Sequence, residues 1–86
     1  MHAKPGNWEV IVRRAADIGQ AVHATRSEQG LTQDALGMLT GVHRNRIQEI
    51  ERGRETERLR LVLSILDELG LELLIRPRDA HRGATP

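Results

Sequence analysis

Gly30, Gly41, Gly53 and Gly70 stand at the ends of segments whose apolar residues recur at helical spacing, and this punctuation restricts the chain to a bundle of short helices. The spacing predicts a first helix over about Ala16 to Gln29, with Ile18 and Val22 four apart. Gly30 ends it, since glycine enters the left-handed conformation without a Cβ clash. Thr32 caps a second helix from Gln33 to Thr40, its hydroxyl positioned to accept from backbone N–H groups two or three residues on. Leu36 and Leu39 are its expected inward face. Gly41 closes the turn to a third helix, about His43 to Arg52, with Ile47 and Ile50 facing inward. A fourth helix from about Glu57 to Leu69 carries the stripe Leu59, Val62, Leu63, Leu66 and Leu69, widened by Leu61 and Ile65.

The flanks read differently. Trp8–Arg13 is too short for periodicity to separate strand from helix, but its β-branched Val10, Ile11 and Val12 favour a short strand. After Gly70, Leu71, Leu73 and Ile75 alternate onto one face of a strand that Pro77 halts. The expected organisation is a tail with a short strand over 1–14, a helical domain over 15–70, a dimerisation strand over 71–78 and a flexible tail over 79–86. A lone strand bearing Leu73, Leu74 and Ile75 would be an exposed apolar edge. Such an edge needs a partner, and a strand from a second copy is the expected one.

Composition narrows the function classes. Eighty-six residues make one domain with a small core. With no Phe, Tyr or Cys, and Trp8 the only aromatic, that core is aliphatic and has no disulfide or thiolate to brace it. No apolar run approaches the ~20 residues of a membrane span, and residues 1–7 lack the apolar stretch of a signal peptide. The expected location is the cytoplasm. Net charge is only +1, so bulk charge does not announce nucleic acid; local placement must. All basic residues but Lys4 are arginines, which suit bidentate contacts to phosphate or guanine.

The informative stretch is 31–53: two short helices around a tight turn at Gly41-Val42, the second bearing a dense outward set of long polar side chains. Leu31-Thr32-Gln33, Leu36, Gly41-Val42, Ile47, Ile50-Glu51 and Gly53 together resemble the Cro/C1-type (XRE) helix-turn-helix family of phage and bacterial repressors. The likeness runs from about Ile18 to Gly70. It implies a mainly α, lambda-repressor-like bundle of four to five helices with a short C-terminal strand pairing across a dimer. The segment Leu69–Arg78, with the lead-in Val10–Arg13, further resembles the HipB-type antitoxin subgroup. That resemblance implies a homodimeric repressor of its own operon that neutralises a HipA-type toxin kinase.

The family reading then assigns roles. Thr32 and Gln33 at the start of the second helix, and His43, would touch the DNA backbone or, for Gln33, a base edge. Arg44 and Asn45 would read bases, arginine suiting guanine and asparagine adenine. Arg46, Gln48, Arg52 and Arg54 would contact phosphates and set register. Glu49 lies on the same face as Asn45 and would either accept from cytosine or repel the backbone. Arg26 and Glu51 match a partly buried ion pair of the family; losing one partner of a fully buried pair costs on the order of 3–5 kcal/mol. Leu61, Ile65, Leu71, Leu73 and Ile75 are the expected dimer interface. Gly37 replaces the family's usual alanine, at about 1 kcal/mol of helix propensity.

Other chemistry finds little support. His2, His23, His43 and His81 show no metal-ligand spacing, and apart from His43 each is expected in solvent. Asp67 and Glu68 are adjacent on a helix, so they point about 100° apart and cannot share a site. No cofactor and no enzymatic role is expected. Met38, at a usually polar site, is either simply exposed or a partner contact. The competing readings are a toxin-binding module with weak DNA binding of its own, and a stand-alone phage-type regulator without a toxin.

Overall fold

The computed structural model describes residues 8–78, in the order β1 (Val10–Val12), α1 (Ala15–Glu28), α2 (Gln33–Thr40), α3 (Arg44–Glu51), α4 (Glu57–Glu68) and β2 (Leu73–Ile75). The fold is therefore mainly helical, with four helices rather than five among the described residues. The tails at 1–7 and 79–86, with His2 and His81, lie outside them.

Each helix start follows from a local side-chain acceptor. The Asp17 carboxylate accepts from the N–H groups of Arg13 (2.8 Å) and Arg14 (3.1 Å) at the mouth of α1. Those backbone bonds, aided by the two arginine charges and opposed by partial desolvation, lower its pKa. Thr32 Oγ1 accepts from Ala35 N at 2.9 Å, His43 Nδ1 from Asn45 N at 3.0 Å, and Thr56 Oγ1 from Leu59 N at 3.2 Å. Each helix closes with a bond spanning its terminal turn: Leu31 N to Arg26 O, Val42 N to Gly37 O, Arg54 N to Glu49 O and Leu71 N to Leu66 O.

The core is small: Val12, Ala15, Ala21, Ile47 and Leu63 are its buried hydrophobic residues. α1 and α3 touch through bare backbone. A Cβ on Gly19 would stand 2.3 Å from the Ile50 carbonyl oxygen and 2.8 Å from that of Glu51.

Two inward assignments need correction. Ile50 is 43% exposed and Leu39 is 73% exposed. On α3 the seam with α1 runs along Ile47 and Glu51, whose side chain is only 5% exposed, so Ile50 falls at its rim, ~60° round the helix from Ile47. On α2 the inward side is half-buried Leu36 and buried Gly37, and Leu39 points elsewhere. A Cβ on Gly37 would lie 2.4 Å from the Val42 carbonyl oxygen. The glycine thus allows a close turn, beyond its cost in helix propensity.

The strand expected to stand alone has a partner within its own chain. β2 runs antiparallel to β1 of its own chain, in the register Val10↔Ile75, Ile11↔Leu74 and Val12↔Leu73. One edge of Leu73–Ile75 is thus taken by the upstream strand, which lies in the same chain and is always at hand. Ile75, expected at a dimer interface, is half-buried on the bundle side, where it shares a groove with Ala21, Val22 and Leu36. Leu71 belongs to the turn before β2.

Candidate nucleic-acid interface

The first turn of α3 is built to present side chains outward. His43, in extended conformation before the helix, uses its Nδ1 as the capping acceptor, so that nitrogen carries no proton in this arrangement. Arg44, Asn45 and Arg46 follow, all exposed, and none makes a side-chain hydrogen bond or ion pair among the described residues. The inward side of α3 is Ile47, 5% exposed, and Glu51; Arg44 lies near that side in angle but in the exposed first turn. Asn45 and Glu49, one turn apart, form the centre of the outward face, flanked by Arg52 and Arg46. Gln48 and Glu49 are half-buried and Arg52 is exposed at the helix end.

Each acidic residue of α3 has an arginine partner, Glu49 at the surface and Glu51 in the interior. Glu49 Oε2 meets Arg54 Nη1 at 3.1 Å across the turn after the helix. Glu51 is gripped by Arg26: Nε donates to Oε2 at 2.6 Å and Nη2 to Oε1 at 2.9 Å. Arg26 Nη1 also donates to the Leu31 carbonyl at 2.8 Å, and Gln33 Nε2 donates to Glu51 Oε1 at 3.1 Å. His23 Nδ1 sits 3.1 Å from both Glu51 Oε1 and Arg26 Nη2, donating to the first or accepting from the second according to its tautomer. The Arg26 hydrogen bonds lower the Glu51 pKa to about 2 against the opposing effect of burial, with Gln33 and His23 adding to the fall. The same bonds raise that of Arg26.

This cluster joins α1, the loop at Leu31, the start of α2 and the end of α3. It therefore fixes the angle at which α3 is displayed. With Glu49 and Glu51 paired, Arg44 and Arg46 on α3 and Arg52 at its C-terminal cap have no ion-pair partner among the described residues. The first turn holds no acid, so the positive end of the helix dipole points the same way.

Thr32 is exposed and spends its hydroxyl on the α2 cap. Gln33, expected to reach outward to DNA, instead turns its amide nitrogen to Glu51. Its half-buried position at the first turn of α2 makes the carboxylate the nearer acceptor. Sequence reasoning missed His23 and Gln33 as members of the cluster. For His23 a signal existed, since it lies three residues before Arg26 on one face of α1. The Leu31 carbonyl is backbone and carries no signal of its own. No group of three metal-ligating side chains occurs among the described residues, and no described helix is long and apolar enough to cross a membrane.

The sequence is similar to known proteins. Residues 17–75 match a family model described as a helix-turn-helix domain, most of the chain. The chain is also similar to the uncharacterized HTH-type transcriptional regulator y4mF of Sinorhizobium fredii (strain NBRC 101917 / NGR234), 37% identical over 72 residues that cover 83% of this chain and 95% of that protein.

Proposed function

The chain belongs to the helix-turn-helix domain family, and from that premise we propose that it binds double-stranded DNA as a transcriptional regulator, with α3 entering the major groove. The observation that carries this reading is the exposed, unpartnered trio Arg44, Asn45 and Arg46 on a helix whose own acids are neutralised within the protein. In the groove, Arg44 reads guanine O6 and N7 and Asn45 reads adenine, each good bidentate pair giving roughly 1–3 kcal/mol of discrimination. Arg46, Gln48 and Arg52 hold phosphates on either side, joined by His43 and by the N-terminal turn of α2 at Thr32. Glu49, held by Arg54, tempers the charge at the centre of the face.

The finer reading is a homodimeric repressor on a palindromic operator, its two α3 helices about 34 Å apart. An antitoxin role against a HipA-type kinase rests on the resemblance of the segment at 69–78, and co-purification with the product of the adjacent gene tests it. Fluorescence anisotropy with the region upstream of its own gene, against random duplex, tests DNA binding. Arg44→Ala should narrow the difference between the two duplexes, while Arg52→Ala should weaken both and flatten the salt dependence. Equal losses on both duplexes for Arg44→Ala would remove it from base readout.

A further inference from the structure

Three of the four helices begin on a side-chain oxygen that stays an acceptor near neutral pH: Asp17 for α1, Thr32 for α2 and Thr56 for α4. α3 begins on an imidazole. His43 supplies the acceptors for three consecutive N–H groups of that first turn. Its Nδ1 accepts from Asn45 N at 3.0 Å, and its carbonyl accepts from Arg46 N at 2.9 Å and Ile47 N at 3.3 Å. The residue is exposed, so protons from solvent reach the ring. The charged groups that share its groove with Met38 and Val42 are Asp34 of α2 and Arg44 of α3, one of each sign.

A histidine nitrogen accepts a hydrogen bond only while it carries no proton. Once protonated, Nδ1 is a donor facing the Asn45 N–H, itself a donor. It also sets a positive charge at the positive end of the helix dipole. The ring must then swing away, and the first turn loses its cap. We propose that His43 is a proton-sensitive positioning residue: its neutral ring holds the turn bearing Arg44 and Asn45 in the form that reads bases, and its protonation shifts the protein from sequence-selective to charge-driven DNA binding. This inference rests on the DNA-binding reading above, and His43 acts in it through the backbone of Asn45. Phosphate contacts from Arg46 and Arg52 survive the change, because they need charge more than a fixed direction, and the added charge favours any duplex. A histidine that merely touches phosphate behaves otherwise, since its protonation strengthens binding to every sequence alike.

Fluorescence anisotropy on the upstream duplex and on a random one, at constant ionic strength and at about pH 7.5 and about pH 5.5, tests it. The ratio of the two affinities should fall about fivefold in acid, the weight of one N-cap bond, while affinity for random duplex holds or rises. His43→Ser supplies a hydroxyl cap that does not titrate. Its ratio should be the same at both pH values, and about fivefold above that of His43→Ala at the higher one. His2, His23 and His81 remain in both variants, so any pH dependence they bring survives in His43→Ser. A wild-type ratio indifferent to pH, a His43→Ser ratio that falls as far as the wild type's, or equal ratios for the two variants would each overturn the proposal. In the free chain, NMR should show the neutral ring protonated on Nε2 and the Asn45 amide signal moving as the ring titrates; an unmoved Asn45 signal would also overturn it. A chain whose Asn45 signal titrates but which binds neither duplex near neutral pH refutes the DNA-binding function and leaves the cap standing.

Discussion

Replacing Glu51 by Gln leaves side-chain volume almost unchanged but removes the charge that joins α1 to α3. The carboxylate has a side-chain exposure of 5% and accepts two bonds from Arg26, itself 12% exposed, as well as one from Gln33. Its pKa is lowered from the ordinary 4.5 to about 2, with the Arg26 bonds as the first cause. A carboxyl bound that much more tightly in its ionised form contributes about 3 kcal/mol to folding at neutral pH. Because the folded value is the lower one, the contribution is complete above the ordinary 4.5 and drains away as pH falls toward 2. By pH 3 about 2 kcal/mol of it is gone. For a domain of this size, with a total stability of only 5–15 kcal/mol or so, that is a large share. The assay is urea unfolding of wild type and Glu51→Gln from pH 7 down to pH 2.5. The variant should be less stable by about 3 kcal/mol at pH 7, and the gap should shrink to below about 1 kcal/mol at the acid end. Two parallel stability curves, with the same gap at both ends, would refute the claim that ionised Glu51 is what Arg26 holds.

Other perturbations follow from the same geometry. Gly19→Ala places a methyl against the carbonyls of Ile50 and Glu51 and should cost about 2 kcal/mol in urea unfolding, because overpacking outweighs the ~1 kcal/mol gained in helix propensity; a stabilised variant would contradict the close approach of α1 and α3. Thr56→Ala removes the acceptor for Leu59 N and should destabilise by about 1 kcal/mol, with helicity near α4 falling first in amide exchange. Glu49→Gln frees exposed Arg54, so stability should stay within about 0.5 kcal/mol while affinity for random duplex rises. Unchanged affinity on random duplex with loss on one operator would make Glu49 a base-reading group.

The elements were legible in the sequence because their causes are local. Thr32 and the glycines after each helix act through atoms a few residues away, so reading along the chain finds them; Thr56 is a cap of the same kind that the sequence reading did not single out. The α2–turn–α3 unit is of this kind, as is the exposed Arg44–Arg46 turn, whose inward counterpart Ile47 is buried. Ile50 and Leu39 were misplaced because apolar identity and spacing say which residues could face inward, while the direction of the core depends on which helix lies opposite. On α3 that direction is taken by Glu51, a charge, because Arg26 waits across the seam on α1.

The sequence by itself thus determined four helices, their limits and the polar face of α3, since hydrogen bonding and side-chain periodicity within a segment suffice for these. Only the tertiary structure decided that β2 pairs with β1, that Gln33 and His23 join the Arg26–Glu51 cluster, and that one side of α4 is left uncovered. Those outcomes depend on which distant segments meet in space, and no local propensity encodes such a meeting.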